Sequence, residues 1–214
     1  MIYNTIMKFD IITIFPKIFD SYLNESILKR AQEKKIIKIK IHNLRDFTKD
    51  KHKKVDDRPY GGGAGMVIQT QPLVRAVEFA KSKIKYQKSK INVIVFSPAG
   101  KQFNNKIAAQ LAKNYEHLIL ICGHYEGIDA RTEKVIKNLK FKIENLSIGP
   151  YVLTGGELPA MVLIDSVSRQ IPGVLGKQES LEEKRFGVGV PTYTRPEIFS
   201  YKGKKYAVPK ILLS

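Results

Sequence analysis

Apolar runs separated by helical patterns give the order of elements along this chain. Residues 9–15 (FDIITIF) form a β-prone apolar run that Pro16 stops, and apolar positions then recur with helical spacing from Ile18 to Ala31. Alternating apolar and basic residues at 36–41 (IIKIKI) predict another strand. The N-terminal part of the chain therefore predicts a strand, a helix and a second strand.

The alternation continues through the middle of the chain. The residues from Val67 onward are predicted to lead into a helix. Buried-type strands are predicted at 92–96 (NVIVF) and 117–122 (HLILIC), with a helix around 104–113 between them. Strands that alternate with helices form a mostly parallel sheet with helices on both faces. The sequence predicts this α/β fold, and beyond Pro172 the pattern fades.

Glycine-bearing segments follow these strands. They are 97–100 (SPAG), 123–127 (GHYEG) and, further on, 147–159 (SIGPYVLTGGELP). Glycine lets a backbone bend sharply or approach a ligand closely, and ligands of parallel sheets gather beyond the carboxyl ends of the strands. We therefore expect a ligand site formed by the three segments. Taken alone, 147–159 also fits an ordinary strand–turn–helix junction.

The large positive net charge indicates which kind of partner the protein binds. The 214 residues include 37 Lys and Arg against 20 Asp and Glu, which gives a net charge of +17. Such an excess favours a polyanionic partner, most simply a nucleic acid, because neutralising phosphates releases counterions. A lysine-rich compositional bias is the competing explanation.

Other classes of protein fit the sequence poorly. The single cysteine, Cys122, excludes an internal disulfide framework and fits a reducing cytoplasm. No apolar window approaches the length of a membrane span, and the four histidines show no metal-ligand spacing, so we expect no metal site. The glycine cluster 61–65 (GGGAG) matches neither a dinucleotide nor a P-loop pattern, and a glycine-rich surface loop is its alternative.

Six motifs taken together are far more specific than any one of them. In chain order they are DDRPYGGGAGM (56–66), SPAG (97–100), CGHYEGID (122–129), SIGPYVLTGGELPA (147–160), DSVSRQIPGVLG (165–176) and YTRP (193–196). This combination closely resembles the bacterial tRNA (guanine-N1)-methyltransferase family, TrmD, of the SPOUT superfamily. The resemblance runs from about Phe9 to Ser214.

The resemblance carries expectations about fold and activity. It implies a deep trefoil knot, a feature too rare for sequence patterns to propose, and a cytoplasmic homodimer with active sites at the subunit interface. It implies transfer of a methyl group from S-adenosylmethionine to N1 of the guanine just 3′ of the tRNA anticodon (guanine-37). The resemblance is also compatible with a requirement for Mg²⁺, but no metal-ligand cluster in the sequence supports one.

The resemblance further implies which residues hold the cofactor. Backbone N–H and C=O groups can read adenine, and glycines let that backbone come close. Tyr125, Glu126 and Gly127 match the segment that lines the pocket between cofactor and guanine. The other matching positions are Phe96, Ser97, Pro98, Gly123, Ile148, Gly149, Tyr151, Leu153, Gly155 and Gly156.

Two catalytic residues are expected from the resemblance. Removing the N1 proton of guanine calls for a carboxylate base, and a cation near O6 stabilises the developing negative charge. Arg169 matches the family's arginine, although an ion pair with Asp165 one helical turn earlier is an alternative role. Lys184 stands at the position of the family's catalytic aspartate, so Glu183 is the expected substitute base. The alternative interpretation is that Glu183 is a solvated loop carboxylate without a catalytic role.

Further departures from the family pattern affect the expected site. Pro150 stands where the family usually has aspartate, His124 replaces the arginine of CGRYEG, and Thr192 replaces a histidine. We expect a methyltransferase domain over residues 1–176 and a linker over 177–214, without the family's helical tRNA-binding domain. A catalytically impaired relative that binds RNA or cofactor is the alternative function.

Overall fold

The computed structural model describes residues 6–82, 90–176, 181 and 189–213. Glu183 and Lys184 lie outside the described residues. The chain divides into two compact units, 1–180 and 181–214. The expected boundary at residue 176, and the roles given to the two parts, stay predictions.

A five-stranded parallel sheet forms the centre of the first unit, with strand order β2-β1-β6-β5-β7. The strands are β1 Met7–Thr13, β2 Ile37–Asn43, β5 Ile91–Gln102, β6 His117–Ile121 and β7 Lys142–Ser147. A short antiparallel pair, β3 Asp56–Asp57 and β4 Val67–Ile68, lies outside this sheet. The second unit contains a hairpin of β8 Ile198–Tyr201 and β9 Lys204–Ala207.

Helices cover both faces of the sheet, which confirms the predicted α/β fold. The helices are α1 Asp20–Leu23, α2 Ser26–Glu33, α3 Thr70–Ser82, α4 Asn105–Asn114, α5 Arg131–Asn138 and α6 Glu157–Arg169. Buried residues of α2, α4 and α6 share one core cluster, and those of α3 and α5 share another. The predicted trefoil knot stays a prediction.

Period-two alternation along the central strands produces these two cores. In β6, Leu118 and Leu120 join the core beneath α4 and α6, while Ile119 and Ile121 join the core beneath α3. Successive side chains of a strand point to opposite faces, so a strand covered on both sides must be apolar at every position. This requirement explains the uninterrupted apolar run at 118–121.

Several local predictions were wrong. The helical pattern between Ile18 and Ala31 is divided into a 3₁₀ turn, α1 and α2, with Asn24 ending α1. The helix expected after Val67 is α3, and it begins at Thr70 because Val67 and Ile68 pair as a strand with Asp56 and Asp57, which the sequence did not predict. Other elements that sequence analysis did not identify are α5, β7, β8 and β9.

One buried polar cluster interrupts the apolar sheet. Asp10 in β1 is only 6% exposed, and its two carboxylate oxygens contact Nε2 of His42 in β2 and Nε2 of His117 in β6. Burial opposes ionisation of Asp10, but hydrogen bonds from His117 and His42 outweigh it and lower its pKa from 3.8 to about 2. The cluster thus ties three neighbouring strands together. Among the described residues, no helix is long and apolar enough to cross a membrane.

Candidate functional site: a cavity at the carboxyl edge of the sheet

The first wall of the site is a loop inserted into β5. Phe96 and Lys101 both pair with Leu146 of β7, so residues 97–100 leave the ladder and return to it. Gly100 packs directly on the neighbouring strand, where a Cβ would lie 2.7 Å from backbone atoms of Asn145 and Leu146. The SPAG motif is therefore a bulge whose glycine permits a close backbone approach.

The second wall is the loop after β6. Tyr125 has φ +59° and Gly127 has φ +124°, so the loop turns through positive φ at both residues. This backbone conformation costs a non-glycine residue such as Tyr125 about 1 kcal/mol. The amide of Glu126 donates to the carbonyl of Met66 at 3.0 Å, and the Glu126 side chain lies where a Cβ on Gly65 would be. The end of the glycine cluster 61–65 thus supports this loop.

The third wall follows β7. The Ser147 hydroxyl donates to the Gly149 carbonyl at 2.9 Å, and the Tyr151 ring covers Gly149, where a Cβ would lie 2.3 Å from the ring. The apolar run Tyr151–Leu153 forms no strand and is exposed. These side chains are exposed because they face a cavity instead of the core.

The second and third walls are joined directly. The amide of Gly156 donates to the Gly123 carbonyl at 2.9 Å, and His124 forms an antiparallel bridge with Gly155. A Cβ on Gly156 would lie 2.7 Å from Cα of Cys122. No side chain fits at Gly156 unless one of the two loops moves.

Together these walls enclose a cavity of about 530 Å³. Twelve of the thirteen residues expected at a cofactor site line it: Phe96, Ser97, Pro98, Gly123, Tyr125, Glu126, Gly127, Ile148, Tyr151, Leu153, Gly155 and Gly156. Gly149 does not line the cavity, and instead packs against the ring of Tyr151. The structure therefore brings together three segments that are far apart in sequence, although their role in cofactor binding stays a prediction.

Arg169 is not brought to this cavity within one chain. It is the last residue of α6, whose first-turn residue Pro159 lines the cavity. At 1.5 Å per residue, the helix separates Glu157 from Arg169 by about 18 Å. Asp165, the alternative partner for Arg169, accepts a hydrogen bond from the Tyr22 hydroxyl, and this bond raises the pKa of Tyr22 to about 12.

The polar residues on the remaining side of the cavity were not predicted from the sequence. Asp129 binds Arg131, with Nη2 2.5 Å from Oδ2, and these hydrogen bonds lower the pKa of Asp129 to about 2. Asn145 donates to Glu133 at 3.2 Å, and both residues line the cavity. Asp129 ends the CGHYEGID motif, which was the available signal; Glu133 and Asn145 belong to α5 and β7, which were not predicted.

The lining fits a nucleoside-containing ligand better than a metal ion. Phe96, Ile148 and Leu153 offer apolar surface, and Gly155 and Gly156 leave backbone within reach of a flat ring. The volume is in the range of small-ligand pockets, which are mostly apolar with a few placed polar groups. Across the described part of the chain, no group of three His, Cys, Asp or Glu side chains is arranged to hold a metal.

Comparison of the sequence with protein-family profiles identifies the family of the chain. The sequence profile of tRNA (Guanine-1)-methyltransferase TrmD matches residues 7–214. The chain belongs to the TrmD family. The resemblance predicted from the six motifs is thereby confirmed.

Curated relatives of the TrmD family match over almost the whole chain. The tRNA (guanine-N(1)-)-methyltransferases of Dictyoglomus turgidum and Clostridioides difficile strain 630 are 50% and 49% identical to it over 211 residues. The matches cover 97% of this chain and 79% and 86% of these relatives. The enzyme of Ruminiclostridium cellulolyticum is 51% identical over 212 residues, with 97% of this chain and 85% of the relative covered.

The close contact at Gly156 gives a test of the cavity. Gly156→Ala is expected to weaken binding of S-adenosylmethionine about five- to 150-fold, because overpacking against the Cys122 backbone costs about 1–3 kcal/mol. Gly176→Ala is the matched control, since a Cβ there meets nothing within 4 Å. Calorimetric titration of both variants measures the effect, and equal affinities would show that the cavity is not the cofactor site.

Proposed function

We propose that this chain is a tRNA (guanine-N1)-methyltransferase that uses the cavity for S-adenosylmethionine and methylates the guanine just 3′ of the anticodon. The observation that carries the proposal is the cavity itself, in which three glycine loops of a TrmD family member line one space. Bound S-adenosylmethionine supplies an activated methyl group. Because tRNA is the substrate, we place the enzyme in the cytoplasm.

The chain's own residues have three tasks in this reaction. The glycine loops bind and orient the cofactor beside the guanine. A base takes the N1 proton, which leaves an electron pair on N1 for the methyl group that bound S-adenosylmethionine would supply. Arg169 stabilises the negative charge that develops on O6 as the proton leaves, because a fixed cation stabilises charge as it forms.

Glu183 is the proposed base because Lys184 occupies the position of the family's aspartate. A lysine accepts a proton only if its pKa falls far below the usual value. Glu183→Gln is therefore expected to slow single-turnover methyl transfer at least about tenfold, while Lys184→Ala changes it little. If the two variants transfer equally fast, Glu183 is not the base.

An exposed apolar face supports a homodimer. Leu158 and Val162 of α6 are exposed, as are Phe15, Ile18 and Tyr22 in the segment after β1. The Tyr22–Asp165 hydrogen bond places the two groups side by side. Contiguous exposed apolar side chains mark an interaction surface. A partner seated there would meet α6 along its length, so that Arg169 of one subunit could serve the cavity of the other.

Charge and aromatic residues support tRNA as the substrate. The hairpin of β8 and β9 exposes Phe199, Tyr201 and Tyr206, and the first two rings are parallel within 10°. Lys204 and Lys205 begin its second strand. Aromatic rings that stack with bases, next to lysines that meet phosphates, are typical of surfaces that bind single-stranded RNA.

A single-turnover assay tests the proposed function. The protein, in excess, is incubated with labelled S-adenosylmethionine and a tRNA transcript that carries guanine after the anticodon. We expect label at N1 of that guanine and none in a transcript with adenine there, and parallel reactions with and without Mg²⁺ test a requirement for the ion. Cofactor binding without transfer would instead favour the catalytically impaired relative, which Lys184 suggests.

A further inference from the structure

A buried polar chain links α6, β1 and the loop after β6 at the edge of the cavity. Glu157, the first residue of α6, is only 4% exposed. Its Oε1 accepts a hydrogen bond from the Thr13 hydroxyl at 2.7 Å, and its Oε2 lies 3.4 Å from Nε2 of His124. Thr13 in turn accepts from the backbone amide of Phe15 at 2.9 Å.

His124 is held in place by its surroundings. Its ring contacts Phe15 edge to face, with centroids 4.9 Å apart, and Tyr125 at 5.6 Å. A Cβ on Gly155 would lie 2.4 Å from both Nε2 of His124 and Oε2 of Glu157. The pair therefore occupies the space beside a glycine of the cavity wall, at the point where two cavity loops meet.

The electrostatics of the pair favour a negative Glu157. A carboxylate in the first turn of a helix is stabilised by the helix dipole, and Thr13 supplies a hydrogen bond. Burial, and after it the charge of Glu157, raises the pKa of the neighbouring Cys122 thiol. An imidazolium at His124 would complete the compensation of this buried charge. Among the described residues, the titratable groups that contact the imidazole are Glu157 and Tyr125, and Cys122 lies within reach of the Glu157 charge.

We propose that His124 and Glu157 are positioning residues that form an ionic clasp between the loops 123–127 and 155–157, and that the clasp makes cofactor affinity depend on pH. The proposal rests on the proposed use of the cavity for S-adenosylmethionine. A loop that is already fixed loses less entropy when the ligand binds. Because histidine changes charge between pH 5 and 8 and arginine does not, the clasp weakens as the pH rises in this chain, whereas an arginine at position 124 would keep it at every pH.

Calorimetric titration with S-adenosylhomocysteine, the stable demethylated product, tests the clasp at several pH values from 6 to 8. The variants are His124→Arg, which keeps a fixed charge, and His124→Gln, which keeps a donor without charge. We expect the dissociation constant of the unaltered protein, divided by that of His124→Arg, to rise about three- to tenfold across this range. Titration of the ligand and of other cavity residues is common to both proteins and cancels in the ratio.

The other outcomes separate the two proposals. His124→Gln is expected to bind weakly at every pH, close to the unaltered protein at pH 8, and thermal unfolding of each variant confirms that it is folded. Parallel profiles for the unaltered protein and both variants would overturn the clasp while leaving the cofactor site intact. Absence of binding by the unaltered protein at every pH would overturn the proposed function, and with it the clasp.

Discussion

Single-turnover methyl transfer is expected to slow about a hundredfold when Arg169 is replaced by alanine, the size of effect seen when one group that stabilises a developing negative charge is removed. Cofactor affinity should stay within about twofold, because the role proposed for Arg169 is at O6 of guanine and because the end of α6 is remote from the cavity of its own chain. Rapid-quench measurement of labelled tRNA, together with calorimetric titration of the cofactor, separates the two effects.

Arg30→Ala is the matched control, since it removes one positive charge from an exposed position on another helix. It should leave the transfer rate nearly unchanged. An equal loss in both variants would mean that Arg169 contributes only to the general positive field. Mixing Arg169→Ala with Gly156→Ala subunits tests the dimer at a cofactor concentration that fills the unaltered cavity but not the Gly156→Ala cavity. If Arg169 contributes to the partner's cavity, the mixture is more active there than either variant alone.

Asp10→Asn is expected to lower the free energy of unfolding by about 3 kcal/mol, the usual cost of removing one member of a buried charged cluster. The reason is that His42 and His117 lose the carboxylate on which both converge. Urea denaturation at neutral pH measures the change. Asp46→Asn is the control, because Asp46 is exposed in its ion pair with Lys53 and should cost less than about 1 kcal/mol.

The cluster of Asp10, His42 and His117 also predicts how the free energy of unfolding depends on pH. The folded state lowers the pKa of Asp10 from 3.8 to about 2, so ionised Asp10 stabilises the fold by about 2 kcal/mol at pH values above its unfolded pKa. This contribution is lost as the pH falls through the interval from about 4 to about 2. Asp10→Asn should flatten the stability curve in that interval, and an unchanged slope would contradict the assigned role of Asp10.

Local periodicity was enough to predict the central strands and their layers. Residues 118–121 are apolar at every position because helices cover both faces, and this pattern is visible without any contact information. The glycine loops were also predictable, since the carboxyl ends of parallel strands meet at one edge of a sheet. By contrast, β7 was missed because Lys142, Glu144 and Asn145 interrupt its apolar pattern.

The sequence by itself determined the α/β class, the three glycine-bearing loops and, through six motifs in order, the TrmD family. Only the tertiary structure decided that Tyr151–Leu153 lines a cavity instead of forming a strand, that Gly156 lies against Cys122, and that Glu157 faces His124. The physical reason is that periodicity and turn chemistry act between neighbours in the chain. Contacts between loops depend on how the β6 and β7 strand ends and α6 are placed by packing, and no local pattern encodes that placement.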